Sequence, residues 1–378
     1  MRQALFLFYY VLLFGQGICQ LPNAVFMDRD SVGSPGGQSL AFGLKSLGFT
    51  KNNEYFNRIA DGYTLYGIQL NPFLNYTVSD NFRLDAGLFV MQDFGNPLLR
   101  QVLPTFTLRA EYLGADIILG AIDGHLNHNL IEPLFDFERV FTDKIEYGTQ
   151  ISYSGPKLFL DAWVEWETMI YPGDPVQEEL YVGLSLNREL FRIDNFSVHL
   201  PIQGIVYHKG GAIDSSPAPL QTMTNNAVGI ELKQRYSGSF LREWTGSFYY
   251  AYYRDWSGVR LMDYQDGEGW YYNMMVQLGK DMHIMLSYWS GNEFYAMMGG
   301  KLYPSISSSY KKPYFVEPER KLILLRFFHD IHLTEGVTMT NRIEPFYDFH
   351  RKKVEFSHGF YLNIRLNEKL WQREKLGE

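Results

Sequence analysis

The segment 157–171, KLFLDAWVEWETMIY, restricts the fold more than any other part of the sequence. Alternate residues from Leu158 onward are mostly apolar. The intervening positions carry aromatic rings and three carboxylates, Asp161, Glu165 and Glu167. A period of two indicates a β-strand, and this one is long enough to cross a bilayer, for which a tilted strand needs about 9–11 residues. The segment therefore predicts one strand of a transmembrane β-barrel, apolar toward lipid and polar toward the lumen.

The composition agrees with strands that have one polar face. The 378 residues are 46% hydrophobic and 16% aromatic, with a mean hydropathy of −0.21. This excludes a bundle of membrane helices, and abundant aromatic residues are typical of the belts at both interfaces of a barrel. A large soluble β-sandwich or propeller is the alternative. The net charge of −8 argues against a nucleic-acid partner.

The N-terminus has the pattern of a cleaved secretory signal peptide. One basic residue precedes an apolar core over 4–14, and small residues follow it. Cleavage after Cys19 gives a signal peptide of residues 1–19 and a cysteine-free mature chain, which excludes a disulfide scaffold and a thiol nucleophile. Lipidation of Cys19 is an alternative, which Gln16 and Ile18 disfavour. Export of such a chain predicts localisation in the bacterial outer membrane.

The mature chain divides into three parts. Residues 20–37 are rich in proline and glycine and predict a periplasmic lead-in or a small plug. Residues 38–366 contain about sixteen alternating segments, with 14–18 as the range, and predict an all-β, antiparallel transmembrane β-barrel. Residues 367–378 predict a charged periplasmic tail.

Short and long connections alternate along the chain. Tight turns such as 79–81 and 154–156 consist of turn-forming residues. The long connections are 123–144, 209–224, 254–269 and 290–320. This alternation is typical of barrels with short periplasmic turns and long extracellular loops. Both termini then lie on the periplasmic side, which requires an even number of strands.

The end of the last segment carries a loose motif, Ser357-x-Gly359-x-x-Leu362-x-Ile364. It resembles the C-terminal assembly signal of outer-membrane barrels, although a charged tail replaces the usual terminal aromatic residue. Together with the signal peptide and the loop alternation, it makes the chain similar to bacterial porin-type outer-membrane barrels. The resemblance implies contact with outer-membrane lipid and lipopolysaccharide. It also implies insertion by the barrel-assembly machinery through Gly359, Leu362 and Ile364, and it leaves a homotrimer open.

The same alternation predicts which charged side chains face the lumen. They are Asp161, Glu165, Glu167, Arg326, Arg342, Arg365, Arg83, Arg109, Glu231 and Arg235. In a barrel of this size such residues line an aqueous channel and set its selectivity. The alternative is that they pair with one another and only solvate the interior.

The connection 123–144 is predicted to fold into the pore as a constriction or to cover its mouth. Its polar residues are His125, His128, Glu132, Asp136 and Glu138. Histidines and carboxylates are metal ligands, but a single pair of histidines three apart is a weak signal. We therefore expect no metal and no cofactor.

These features favour an outer-membrane, porin-like channel for passive or weakly selective diffusion of small polar solutes. No G-x-S-x-G, Cys–His or H-E-x-x-H pattern occurs, so no catalytic residue is assigned and no enzyme is expected. One alternative is a barrel enzyme acting on lipid A or phospholipid, with serine and histidine near the lipid face, as in the pairs His283 with Ser287 and Ser357 with His358. The other is a non-conducting barrel for envelope or glycan assembly.

Overall fold

A computed structural model describes residues 21–27, 29, 37–211, 213–238 and 240–374. The predicted signal peptide lies outside these residues. Sixteen antiparallel strands form one closed barrel, which confirms the predicted fold class and strand number. The strands are β1 Gly37–Glu54, β2 Thr64–Ser79, β3 Phe82–Asp93, β4 Gln101–Tyr112, β5 Ala115–Ala121, β6 Tyr147–Ser154, β7 Leu158–Thr168, β8 Glu179–Ile193, β9 Phe196–Lys209, β10 Gln221–Arg235, β11 Leu241–Asp255, β12 Asp266–Leu278, β13 Met282–Asn292, β14 Glu319–Thr334, β15 Val337–Asp348 and β16 Lys353–Glu374. None of the helices in the described ranges is long and apolar enough to cross a membrane.

The barrel closes where β1 pairs with β16. The register runs from Gly37 opposite Glu374 to Glu54 opposite Phe356, with one irregularity between Leu40 and Ala41. Closure gives every strand two neighbours, so backbone N–H and C=O groups find partners without water.

The connections separate into two classes on opposite ends of the barrel. One end has short turns: 80–81, 113–114, 155–157, 194–195, 236–240, 279–281 and 335–336. The other end has mostly longer connections: 55–63, 94–100, 122–146, 169–178, 210–220, 256–265, 293–318 and 349–352. The turn Leu113-Gly114 has positive φ at both residues (54° and 77°), as a two-residue hairpin of matching twist requires. By the rule for bacterial barrels, the short-turn end is periplasmic.

Burial alternates along the strands in the predicted register. In β7, Asp161, Trp163 and Glu165 are buried in the lumen, whereas Leu160 and Val164 lie on the opposite face. The outer wall is apolar and carries exposed side chains that include Leu74, Phe106, Leu184, Ile202, Ile230, Leu286, Phe327, Ile343 and Phe360. This surface suits lipid.

The lumen is filled by protein. The connections 122–146 and 293–318 enter it and form an apolar core with inward aromatic side chains of the wall. This core includes Leu134, Phe135, Phe294, Met298, Trp163, Tyr249, Tyr271 and Trp289. Most of these side chains are almost completely buried. A close-packed apolar interior is the opposite of the water-filled channel that the sequence predicted.

The N-terminal segment 21–27 also lies inside the barrel. Asn23 Oδ1 accepts a hydrogen bond from Arg342 Nη2 at 2.7 Å. The carbonyl oxygen of Val25 accepts from Asn363 at 2.7 Å and from Arg365 at 2.8 Å. Phe26, in a short 3₁₀ helix, packs edge-on against aromatic rings of the lumen.

Two strands are longer than their patterns predict. The alternation predicts the first strand over 38–48, and β1 continues past Gly48 to Glu54. Strand β16 continues past Leu366 to Glu374, so residues 367–374 of the predicted charged tail are strand. They pair with residues 37–43 of β1, which supply backbone partners that hydropathy does not reveal.

Candidate functional site

The charged residues predicted to line a pore are mostly buried and bonded to protein groups. Arg83 pairs with Asp85 at 2.6 Å, Arg109 with Asp123 at 2.7 Å, and Glu231 with Lys233 at 3.3 Å. At the periplasmic end Arg235 pairs with Glu243 at 2.9 Å, and Arg365 donates to the N-terminal segment. Glu165 is buried, whereas Glu167 is exposed at the extracellular rim.

Arg342 and Arg326 lie in the packed lumen. Arg342 stacks at 4.2 Å on Phe137 and at 4.6 Å on Phe26, which are cation–π contacts. Arg326 binds Glu132 of the connection 122–146, which we call the inserted connection. It also lies 3.3 Å from Glu344 of β15. Both arginines are therefore bonded to protein groups inside the packed lumen, whereas a channel lining would face water.

His128 is the centre of a buried network that holds the inserted connection against β7. Its Nδ1 lies 2.7 Å from Asp161 Oδ2 and its Nε2 lies 2.8 Å from Glu146 Oε2. The imidazole stacks on Trp163, with ring centroids 3.6 Å apart. Burial opposes its charged form, but Glu146 and the hydrogen bonds to both carboxylates outweigh this and raise the pKa of His128 to about 9. Both ring nitrogens are occupied, so His128 is not a free general base.

Backbone strain marks the same connection. His125 and Asn129 have φ of 57° and 53°, a left-handed conformation that non-glycine residues rarely adopt. Such conformations persist where the surrounding structure fixes them. Here Gln203 of β9 contacts the connection twice, accepting from Ile131 N and donating to Asn129 O, both at 2.9 Å. The connection is thus fastened across the lumen.

The connection ends in a short helix, α1 (Arg139–Thr142), and the residue before it is the centre of a second polar cluster. Glu138 Oε1 accepts from Asn53 at 2.6 Å and lies 2.9 Å from Lys51 Nζ. Its Oε2 lies 3.0 Å from Lys301 Nζ and accepts from Tyr63 OH.

We call this set the mouth cluster: Lys51, Asn53, Tyr63, Asp136, Glu138 and Lys301. Its members come from β1, from the end of the first extracellular connection, from the inserted connection and from 293–318. The cluster borders a cavity of about 50 Å³ whose wall also includes Arg326, Glu132 and Tyr303. Lys301 is 39% exposed, so the cluster is accessible from the extracellular side. Side chains from four segments converge here on one accessible point.

The two acids of the mouth cluster have opposite electrostatic environments. Burial, and then the charge of Glu138, raise the pKa of Asp136 to about 6. Burial would also raise the pKa of Glu138, but Lys51 and Lys301 outweigh it and hold that pKa well below its usual range. Burial together with Glu138 raises the pKa of Tyr63. A carboxyl that titrates near neutral pH beside fixed cations is suited to proton transfer.

Sequence reasoning included Asp136 and Glu138 but missed Lys51, Asn53, Tyr63 and Lys301. The available signal was the alternation of β1, which continues through the polar run KNNE and places Lys51 and Asn53 inward.

The serine–histidine pairs do not form catalytic pairs. Ser357 is buried while His358 is exposed, because neighbouring residues of a strand face opposite sides. Ser287 accepts a hydrogen bond from Arg326 at 2.8 Å.

Another cavity, of about 130 Å³, lies between β1–β4 and the start of the inserted connection. Its charged wall includes the Arg109–Asp123 pair and His125, whose Nε2 lies 2.6 Å from the carbonyl oxygen of Lys144. Burial lowers the pKa of His125 to about 4. The mouth cluster is the stronger candidate because acid, phenol and ammonium groups meet there near the surface.

The chain is similar to solved outer-membrane proteins. A loop L8 deletion mutant of OmpT, an outer membrane protein of Vibrio cholerae, has a TM-score of 0.50 at 10% identity, with 87% of this chain and 100% of that chain covered. OpdL of Pseudomonas aeruginosa gives 0.49 at 12% identity, with 88% and 99% covered. No curated protein matches the sequence.

A family model described as "Lipid A 3'-O-deacylase-type" matches residues 30–373. This match overturns two predictions made from the sequence. The assignment as a porin-like diffusion channel is wrong, because the family is one of barrel enzymes, and the expectation that the protein is not an enzyme is wrong for the same reason. The chain is an outer-membrane β-barrel that belongs to the lipid A 3'-O-deacylase-type family.

Proposed function

We propose that the protein hydrolyses an ester-linked acyl chain of lipid A and that the mouth cluster is the place of hydrolysis. Membership of the family carries this proposal, since a 3'-O-deacylase removes an acyl group from an ester oxygen. The position of the cluster supports it: its residues lie at the extracellular ends of β1 and β2 and in extracellular connections, on the side where lipid A is found.

Water is the proposed nucleophile. The mouth cluster has no serine, threonine or cysteine, and its one hydroxyl, the Tyr63 phenol, is held by Glu138 and Lys301. Asp136 takes a proton from water as the oxygen attacks the ester carbonyl. The tetrahedral intermediate then breaks its bond to the sugar oxygen, which receives that proton from Asp136. The products are a fatty acid and a free sugar hydroxyl.

The lysines are proposed to stabilise the negative charge that develops on the carbonyl oxygen. Lys51 and Lys301 flank Glu138 at 2.9 and 3.0 Å, so their ammonium groups are fixed before substrate binds. Fixed cations cost little reorganisation in the transition state. In this arrangement Glu138 is a positioning residue, and the partly exposed Lys301 is the ammonium that substrate reaches first.

Apolar side chains of the first two extracellular connections are suited to hold acyl chains. Phe56, in the first extracellular connection, is 70% exposed, and Leu98, in the second, is 72% exposed. The adjacent outer wall carries exposed Tyr66 and Phe94, whose rings pack edge-on at 4.7 Å. Exposed apolar groups near a membrane interface lower the free energy of contact with hydrocarbon.

The test is mass spectrometry of purified lipid A incubated with the purified protein in detergent. We expect loss of one ester-linked acyl chain and release of the matching fatty acid. Asp136→Asn should slow this by about 10²–10⁴-fold, the usual contribution of a general base. The control is Asp263→Asn, the same change at an exposed extracellular position. An unmodified lipid A with wild-type protein, or full activity of Asp136→Asn, would contradict the proposal.

A further inference from the structure

The extracellular end of the barrel carries one strongly basic surface, outside the mouth cluster. It comes from the connections 55–63, 293–318 and 349–352 and from the first residue of β16. We call it the basic rim, and its residues are Arg58, Lys311, Lys312, Arg351, Lys352 and Lys353. The three connections together contain six lysines and arginines but only three acids, whereas the whole chain has a net charge of −8. Positive charge is therefore concentrated on one part of the extracellular end.

Contacts between the three connections hold the basic rim together. Both carboxylate oxygens of Asp61 accept hydrogen bonds from the connection after β13, one from Ser309 Oγ at 2.7 Å and one from Tyr310 N at 2.6 Å. Arg351, in the connection before β16, donates to the carbonyl oxygen of Phe56 in the first connection. The fold thus brings onto one surface cations that lie far apart in the sequence.

Most of the positive charge of the basic rim is not balanced by nearby acids. Arg351 lies 3.5 Å from Glu355. The other five cations are exposed, and within the described ranges no carboxylate oxygen lies within 4.0 Å of them. Glu317, at the end of the same connection as the two lysines, is buried and pairs with Arg320 at 2.6 Å. Like charges held close together repel one another, so an anionic ligand would lower the free energy of this surface.

An apolar strip of the outer wall begins directly below the basic rim and indicates what kind of anion binds there. Val354, Phe356 and Phe360 are exposed on the outer face of β16, and Val354 directly follows Lys353 in the chain. A basic patch that adjoins an apolar face attracts anionic lipids through both charge and contact with hydrocarbon. The combination favours a lipid with an anionic head over a soluble polyanion, which would use only the cations.

We propose that the basic rim binds the phosphate groups of a lipopolysaccharide molecule that lies beside the barrel, with its acyl chains along the apolar strip of β16. Lysine and arginine bind phosphate through charge-assisted hydrogen bonds. Five cations without an ion pair exceed what the single phosphate of an ordinary phospholipid can occupy, so a head with several phosphates fits this surface better. This goes beyond the proposed hydrolysis and does not depend on it, because it concerns a different surface and a different lipid molecule.

The test is native mass spectrometry of the delipidated, full-length protein in detergent, titrated with lipopolysaccharide. We expect saturable binding that weakens as salt is added, because salt screens the attraction between exposed charges. The same lipopolysaccharide, with its phosphates removed by hydrofluoric acid, should bind at least tenfold more weakly. Phosphatidylglycerol, which has acyl chains but one phosphate, should also bind more weakly.

Two double variants test the residues of the basic rim. One combines Lys311→Gln with Lys312→Gln, and the other combines Lys352→Gln with Lys353→Gln. Each should weaken the binding of lipopolysaccharide by about tenfold or more, since each basic side chain near an anionic lipid contributes to its attraction. Heat-dependent migration on SDS gels verifies that each variant is a folded barrel.

The matched control combines Lys157→Gln with Lys280→Gln, at two exposed lysines of periplasmic turns, and it should bind like the wild type. Absence of saturable binding to the folded wild type would overturn the proposal, as would wild-type affinity in both folded double variants of the basic rim. Equal affinity for the dephosphorylated lipid would overturn the role of the phosphates, and equal affinity for phosphatidylglycerol would overturn the assignment to lipopolysaccharide. Deacylation leaves the phosphates in place, so bound lipid is counted whether or not the protein hydrolyses it.

Discussion

Asp136 and Glu138 are two positions apart, yet their surroundings shift their pKa values in opposite directions. Two ammonium groups and two hydrogen-bond donors keep Glu138 ionised, whereas Asp136 titrates near neutral pH. Acids whose pKa values are separated by their environment commonly divide the roles of proton carrier and electrostatic anchor.

The pH profile follows from this difference. A base must be deprotonated to act, so hydrolysis should rise as pH increases through about 6 and level off above it. Lys301→Gln removes a cation that lowers the pKa of Asp136, so the rise should move to higher pH. Initial rates of fatty-acid release between pH 4.5 and 9 measure both profiles. A rise at the same pH in both proteins would show that Asp136 is not the titrating group.

His128 predicts a dependence of stability on pH. Its pKa is raised from 6.5 in the unfolded chain to about 9, so its stabilising contribution is complete below 6.5 and is lost as pH rises through 9. His128→Gln leaves two buried carboxylates without a cation, a kind of change that costs about 3–5 kcal/mol.

Urea unfolding in lipid vesicles at pH 7 and pH 9.5 measures this contribution. The wild type should lose stability between the two values. His128→Gln should be less stable at pH 7 and should lack that part of the pH dependence. His350→Gln, at an exposed histidine, is the control. Equal pH dependence of His128→Gln and wild type would rule out the charged imidazole.

For single residues, the sequence predicts which face of a strand a side chain lies on but not which side chain it contacts. Alternation correctly places Asp161 and Glu165 inward. It cannot show that Asp161 meets His128, 33 positions away, or that Arg326 meets Glu132, 194 positions away. Those contacts depend on where a long connection folds, which local periodicity does not encode.

The strands are the elements that the sequence specifies best, because each must bury a polar face and present an apolar one. Leu184 of β8 is 42% exposed on the outer wall and pairs with Ala162 at the middle of β7. Leu184→Arg should therefore cost about 2–4 kcal/mol of unfolding free energy in lipid vesicles, the penalty for arginine at the midplane of such barrels.

Leu113→Arg makes the same substitution in a periplasmic turn, where the side chain is 83% exposed. It should change the unfolding free energy by no more than about 0.5 kcal/mol, as is usual for surface positions. Similar destabilisation by both substitutions would mean that β8 is placed in the wrong register, since a slip of one residue exchanges its faces.

Strand ends are predicted less well than strands. The polar run in β1 resembles a loop by composition, although Lys51 and Asn53 point inward to partners on other segments. Strand β16 likewise continues through charged residues because β1 offers it backbone partners. In both cases pairing in the closed barrel outweighs the local pattern.

At the scale of the whole molecule, the packed lumen predicts electrical behaviour. The wild type in a planar bilayer should give no stable conductance steps, because apolar side chains occupy the path. Deleting residues 126–142 removes the part of the inserted connection that contributes Leu134 and Phe135 to the apolar core, and it should produce ion conductance. Heat-dependent gel migration checks that the shortened barrel is folded. Steps of equal size in both proteins would contradict a filled lumen.

Barrel architecture was predictable because sixteen strands and alternating connections leave a regular signature. Function was not, because one architecture serves both channels and enzymes. The deciding feature is how the connections 122–146 and 293–318 pack inside the barrel. Their sequences show no clear alternation of apolar and polar residues from which that packing could be predicted. In the mouth cluster, Lys51 comes from β1, Glu138 from the connection 122–146 and Lys301 from the connection 293–318. No contiguous sequence motif therefore contains all three.

The pairing of β1 with β16 also determines when the mouth cluster forms. Lys51 and Asn53 lie on the first strand, which is complete only when the last strand to be synthesised pairs with it. Glu138 and Lys301 meet those residues only inside the finished ring. Before the ring closes, the chain therefore carries every residue of the mouth cluster but not the assembled cluster. In the proposed mechanism, hydrolysis at this cluster therefore begins only after the barrel has closed.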